Sequence, residues 1–250
     1  MILKAIILGI VQGLTEFFPI SSSGHLAILE KYFGMSEPVV LATFLHFGTF
    51  CATVVFFFKP LVNGIKGVFN GNKQSTRYAA YIIVGTIPIV LFVLFLRTHI
   101  EESFKDVRLV ALFLGITGAI VLITSITKKG NGKIAFLSAL VIGIAQMFAT
   151  FPGISRSGLT ISAGIFAKVE PRKAFTFSFL LSLPAVLGAN IHQLSFLPSA
   201  YDLPVIVIGT VCSFVSGLVA LVILKKLIQQ WFYLFGIYCL IVSGGILLLV

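Results

Sequence analysis

The sequence predicts an all-α integral membrane protein with six transmembrane helices and two re-entrant helical hairpins, built as an inverted-topology repeat. Three observations carry this fold class. Of 250 residues, 58% are hydrophobic and only 10% charged, whereas a soluble chain carries roughly a quarter charged residues. Six stretches reach the ~20 mostly apolar residues that a helix needs to cross a bilayer. Two further regions are apolar at both ends, broken in the middle, and copies of one another.

In chain order, the first element is the broken region 2–33, interrupted by Phe18-Pro19-Ile20-Ser21-Ser22-Ser23-Gly24. The break leaves two helices of about three or four turns, too short to cross separately. Spans follow at about 38–58, 78–97 and 108–127. The second broken region, 134–168, is interrupted by Phe151-Pro152-Gly153-Ile154-Ser155-Arg156-Ser157-Gly158, and spans follow at about 172–192, 204–224 and 232–250. At an offset of 134 residues Gly9-Ile10-Val11-Gln12 lands on Gly143-Ile144-Ala145-Gln146, and Ile20 to Gly24 lands on Ile154 to Gly158 without a gap. The halves, 1–127 and 128–250, form one structural domain. Three crossings per half make the second half enter with opposite orientation, a plan built around broken helices that meet at the midplane.

Charge gives an independent reading of orientation. With the first hairpin entering from outside, Lys59, Lys66, Lys73, Arg77, Lys128, Lys129, Lys133, Lys168, Arg172, Lys173, Lys225 and Lys226 face the cytoplasm with Glu170. Glu30, Glu37, Glu101, Glu102, Asp106 and Asp202 face the other side, as the positive-inside bias requires. Both termini are then outside. The net charge of +10 therefore reflects membrane orientation, and no nucleic-acid partner follows from it. The first apolar stretch runs into Gln12 and Glu16 rather than a small-residue cleavage site, so no cleavable signal peptide is expected.

Several features fit packing. Gly209, Ser213 and Gly217 make a small-residue ridge suited to close helix approach. Pro88 and Pro184 are expected to kink their spans. Cys51, Cys212 and Cys239 sit in apolar runs without metal-ligand spacing. His46, His99 and His192 fall outside the duplicated turns and are read as structural, and the 25 phenylalanines as core and lipid-facing packing.

The duplicated turns hold the chemistry. Glu16 and Arg156 are the charged residues inside them, and a charge at the bilayer centre costs about 2.5–3.5 kcal/mol even on the lenient insertion scale. A buried salt bridge tying the hairpins together is one explanation. The hydroxyls around the pair point to another. Gln12 and Glu16 share one helix face; Ser21, Ser22, Ser23 and His25 start the helix after the first turn, and Ser155, Arg156, Ser157 and Thr160 start the helix after the second. Capping accounts for one serine of such a run and leaves the others in need of partners. Helix starts offer free N–H groups and the positive end of the dipole to an anion, and a guanidinium matches phosphate bidentately. Together they form a receptor for phosphate. Glu16 with Gln12 suits a divalent-metal ligand pair, or Glu16 a proton-transfer group. Ser22 and His25, three residues apart, have the spacing for a serine that hands its proton to an imidazole.

These motifs resemble those of the undecaprenyl-diphosphate phosphatases, the bacitracin-resistance protein family, across essentially the whole chain. Gln12 to Glu16 matches (E/Q)xxxE, Pro19 to His25 follows it, and Pro152 to Thr160 matches PGxSRSxxT at every fixed position. Position 12 carries Gln where many members have Glu. The resemblance implies a membrane hydrolase that converts undecaprenyl diphosphate to undecaprenyl phosphate, recycling the carrier for peptidoglycan and other wall polymers and conferring bacitracin resistance. It implies a divalent cation, Mg or Ca, a polyprenyl diphosphate lipid substrate, and a site opening to the outer face of the bacterial cytoplasmic membrane. Carried over, the resemblance makes Ser22 the nucleophile or its closest neighbour, His25 its base or acid, Glu16 a proton-transfer residue or, with Gln12, a metal ligand, and Arg156 the phosphate clamp. Ser21, Ser23, Ser155, Ser157 and Thr160 are supporting phosphate donors. A transporter of polyprenyl phosphate, with or without hydrolysis, is the rival reading, because its plan is the same. Oligomeric state is left open.

Overall fold

The computed structural model describes residues 1–34, 38–103, 106–194 and 202–249, with side chains described outside 38–39, 97–102 and 193–194. Glu37 and the side chains of His99, Glu101 and Glu102 thus lie outside the described residues. The described chain is all-helical apart from one isolated bridge between Gly132 and Val169. Its helices are α1 (Ile2–Phe17), α2 (Ser22–Tyr32), α3 (Pro38–Phe56), α4 (Phe58–Phe69), α5 (Lys73–Ser103), α6 (Val107–Ile123), α7 (Phe136–Phe148), α8 (Arg156–Phe166), α9 (Pro171–Leu194), α10 (Leu203–Leu227) and α11 (Tyr233–Leu249).

By length and composition three helices are able to cross a bilayer, Lys73–Leu96, Pro171–His192 and Leu203–Leu227. The bent pair Val40–Phe56 and Phe58–Phe69 makes a fourth when taken as one span, while Val107–Ile123, Phe136–Phe148 and Tyr233–Leu249 are shorter apolar helices. Exposed aliphatic and aromatic side chains such as Leu94, Phe95, Ile241 and Leu248 lie on the outside of the bundle. Water would penalise that surface at roughly 25 cal/mol per Å2; hydrocarbon does not.

Both broken regions fold as two short helices about a turn, α1 and α2 in one half and α7 and α8 in the other. The span expected at 38–58 ends early: the chain leaves helical geometry at Phe57 (φ −99°, ψ 18°) and turns by 68° into α4. Pro60 then sits in the first turn of α4, where its missing N–H costs nothing. With Lys59 and Lys66 beside exposed Phe58, Ile65 and Phe69, and with no buried residue, α4 has the make-up of a helix lying at a membrane surface. In α5 the departure from helical backbone falls at Leu96 (φ −120°), about two turns beyond the expected kink at Pro88.

The halves exchange their short helices. Gly9 and Gly13 of α1 lie on Gly209, Ser213 and Gly217 of α10, and in the same manner Gly143 of α7 lies on the backbone of Gly85 in α5. Between α6 and α11 the contact is Gly118 against Gly236. Each is an approach of backbone on backbone that leaves no room for a Cβ, the means by which helices associate where lipid supplies no hydrophobic drive. Ser213 Oγ donates to the Leu45 carbonyl (2.7 Å) and so fixes α3 against α10. An aromatic cluster of Phe17, Phe57, Phe175 and Phe179, packed with Ile161, Leu221 and Leu224, lies under the first turn.

Candidate active site

The first turn is set by local chemistry. Pro19 ends α1, since it has no N–H to continue the ladder. Ser21 then adopts φ 66°, ψ 98°, a conformation disfavoured for a residue with a Cβ, so surrounding structure must hold it. Ser21 makes no side-chain cap bond, and its hydroxyl pairs instead with Ser23 Oγ (3.2 Å). The start of α2 is therefore open to an anion.

The second turn is built differently. Gly153 adopts φ 91°, and a Cβ there would collide with the Val110 carbonyl of α6. Ser155 caps α8 by accepting from Gly158 N (3.2 Å), while its own N–H donates to Thr117 Oγ1 (3.0 Å). Capping thus explains Ser155 and not the serines of the first turn.

The turns meet at Glu16. One carboxylate oxygen accepts from the Arg156 guanidinium, linking residues 140 positions apart. The other accepts from Ser22 Oγ (2.7 Å) and from Gln12 Nε2 (3.2 Å). His46 Nδ1 of α3 lies 2.9 Å from Gln12 Nε2 and 3.5 Å from Glu16 Oε2. Around this cluster opens a cleft of about 390 Å3, lined by Ser21, Ser22, Ser23, Ser155, Glu16 and Arg156 with His46, Thr150 and Asn190. Its apolar wall includes Ile89 of α5 and Ala185, Val186 and Ala189 of α9.

Three sequence expectations need correction. The Ser22–His25 hydrogen bond is not formed: Ser22 donates to Glu16, and the His25 ring is held by the Ser21 carbonyl (2.8 Å) and Tyr238 Oη (2.7 Å), stacked on the tyrosine. Three residues of helix place the imidazole beside the serine, but the ring rotates toward α11, where Nε2 meets Tyr238 while Nδ1 stays on the Ser21 carbonyl. Ser157 and Thr160 do not reach the cleft. Ser157 pairs with Ser155 Oγ (3.2 Å), and Thr160 donates to the Arg156 carbonyl and pairs with Ser178 (2.5 Å), so both brace α8 from behind. Finally, His46, read as structural, lines the cleft. Its signal was the polar run His46, Thr49 and Thr53 at helical spacing within an apolar span, three residues on one face.

The ion pair of Glu16 with Arg156 and the hydroxyl-lined cleft coexist. A phosphate entering the cleft meets a guanidinium, open N–H groups and hydroxyls, and it competes with Glu16 for Arg156. No group of three or more His, Cys, Asp and Glu able to hold a metal occurs among the described residues. Gln12, however, whose Nε2 donates to Glu16, keeps its Oε1 buried without a hydrogen-bond partner. Two hard oxygens completed by water and phosphate match the way Mg is bound, so the residues fit a divalent cation.

Comparison with known proteins places these residues in a family context. The family model described as bacitracin resistance protein BacA matches residues 5–246. An undecaprenyl-diphosphatase of Thermosipho africanus is 38% identical over 242 residues, covering 95% of this chain and 96% of that protein. Another from Thermosipho melanesiensis is 39% identical over 243 residues, covering 95% of each. One from Methanococcus maripaludis is 37% identical over 249 residues, covering 98% and 99%.

Proposed function

The chain belongs to the bacitracin resistance protein BacA family, and on that premise we propose that the cleft at Glu16 and Arg156 is where it hydrolyses undecaprenyl diphosphate to undecaprenyl phosphate and inorganic phosphate. The observation that carries this assignment is the convergence of both turns on one carboxylate–guanidinium pair with Ser22 donating to the carboxylate.

Arg156 leaves Glu16 for the terminal phosphate, and the N–H groups at the starts of α2 and α8 receive its oxygens. Such positioning and charge neutralisation supply most of what phosphoryl transfer requires. Ser22 Oγ attacks the terminal phosphorus in line, its proton passes to Glu16, and the bond to the bridging oxygen breaks to release undecaprenyl phosphate. Water then attacks the serine-bound phosphate, Glu16 returns the proton to Ser22 Oγ, and inorganic phosphate leaves. Gln12 Oε1 and the Glu16 oxygen vacated by Arg156 would hold Mg or Ca, which supplies further positive charge to the phosphate oxygens.

The same reading extends to the membrane. Six spans (α3, α5, α6, α9, α10 and α11) and two re-entrant hairpins form an inverted repeat, supported by the reciprocal packing of α1 on α10 and α7 on α5. Both termini and the cleft face outward, on the side opposite the basic segments. The prenyl chain stays in lipid against the apolar wall while the headgroup enters sideways.

The test is phosphate release from a polyprenyl diphosphate by purified protein in detergent with Mg or Ca. Arg156→Ala and Glu16→Gln are each expected to lower kcat/KM at least about a hundredfold, the scale of a lost transition-state contact, and chelation is expected to abolish release. Wild-type protein that binds the diphosphate without releasing phosphate would end the assignment.

A further inference from the structure

A second cleft, of about 750 Å3, lies at the opposite end of α7 from the candidate active site. Its polar lining gathers Lys73 and Arg77 from α5, Lys133 from the link before α7, and Lys173 from α9, with Tyr78 and Tyr81 between them. Glu170 pairs with Lys173 at 2.6 Å. Among the described residues Lys73, Arg77 and Lys133 have no side-chain partner. At the start of α7 the Ala135 N–H donates to Ser138 Oγ (2.9 Å), while Ala135 itself caps no donor of the first turn.

The surroundings of this cleft are apolar and elongated. Across Tyr78 and Gln74 it joins a groove of about 340 Å3 between α4 and α5, walled by Leu61, Ile65, Val68, Ile82 and Leu180. Ile82 also begins a further groove of about 400 Å3 running along α5 to Leu91 and Pro184. Orientation bias explains why basic residues collect on one side of a membrane protein. It does not explain why cations from three distant segments surround one cavity that joins an apolar groove beside an interfacial helix, a groove that a second one continues along α5. A cationic pocket between helices with adjoining apolar surface matches a lipid whose phosphate sits at the interface.

We propose that Lys73, Arg77, Lys133 and Lys173 bind the phosphate headgroup of an anionic membrane lipid, its acyl chains lying in the grooves along α4 and α5. The cleft stands about 20 Å from the phosphate turn along α7, on helices α5 and α9 that also wall the candidate active site. A lipid bound there therefore fastens α4 to the base of the bundle. The proposal rests on the membrane reading and is independent of hydrolysis.

Native mass spectrometry of the purified, delipidated full chain titrated with phosphatidylglycerol tests it, with phosphatidylcholine of the same acyl chains as the neutral comparison. Phosphatidylglycerol is expected to bind at one preferred site. The triple variant Lys73→Gln, Arg77→Gln, Lys133→Gln is expected to weaken it at least about tenfold, since each cation near an anionic lipid contributes a several-fold factor. Phosphate release in detergent is expected to persist and reports that the variant is folded. If the triple variant does not fold, Lys133→Gln alone, in the link, is expected to weaken binding about threefold. Unchanged affinity in these variants, equal loss in Lys225→Gln, Lys226→Gln at the end of α10, or equal preference for phosphatidylcholine would overturn the proposal. Binding of inorganic phosphate that matches the lipid and is lost in the same triple variant would overturn it too, because the ligand of this cleft would then be a free anion.

Discussion

At the scale of single residues, Ser22 and Ser23 are neighbours with different partners. Ser22 donates to Glu16 and Ser23 to or from Ser21, so only one hydroxyl is aligned with a proton acceptor. Ser22→Ala is expected to reduce phosphate release at least about a hundredfold and Ser23→Ala far less, measured as kcat/KM on the same substrate. Equal losses would make both serines mere phosphate donors, with water attacking directly. His25 acts on this arrangement through the turn. Its Nδ1 is tied to the carbonyl of strained Ser21 and its Nε2 to Tyr238, so it holds the turn that aims Ser22. Tyr238→Phe is expected to lower turnover in the same direction as His25→Ala, and the double variant to lose no more than His25→Ala alone, as a double-mutant cycle reads coupled groups. Additive losses would separate the two.

At the scale of elements, helix contacts made by glycine set how closely the halves interlock. A side chain at Gly143 would run into the Gly85 backbone, and in a membrane bundle there is little hydrophobic gain to compensate for separating the helices. Gly143→Ala is expected to destabilise the protein by about 1–3 kcal/mol, the usual cost of overpacking, read as a lower Tm in detergent. Gly244→Ala on α11 meets nothing within 4 Å and should leave Tm unchanged. The duplication is also unequal in its chemistry. Gln146, the copy of Gln12, is buried without a side-chain partner among the described residues, and the position that copies Glu16 is Thr150. One half supplies Glu16 and Ser22 to the cleft, the other Arg156.

At the scale of the whole molecule, interlocking short helices bring two turns to one place while basic segments gather at the far end of α7. That polarity makes orientation measurable. In a background without Cys51, Cys212 and Cys239, single cysteines at Gly34 and Asp106 are expected to react with an impermeant thiol reagent on whole cells. Cysteines at Asn72 and Lys129 should react only after permeabilisation. The reverse pattern would open the candidate active site to the cytoplasm and require a different supply of substrate.

Composition, the length of apolar runs and the duplicated breaks determined that this chain is a helical membrane protein with paired turns, because bilayer thickness and backbone hydrogen bonding leave few other outcomes. Glu16, Arg156 and the serines were legible for a related reason: polar groups are conspicuous in an apolar sequence, and nothing but pairing or chemistry offsets their burial. Helix α4 was not legible, because its apolar residues continue those of α3 and only the 68° bend separates them. Nor were the partners of His25 and His46. Spacing along a helix fixes which face a side chain occupies, whereas the neighbour it meets there belongs to another helix. Only the tertiary structure turned His25 toward Tyr238, brought His46 to Gln12 and Glu16, and withdrew Ser157 and Thr160 behind α8, through contacts that no local periodicity encodes.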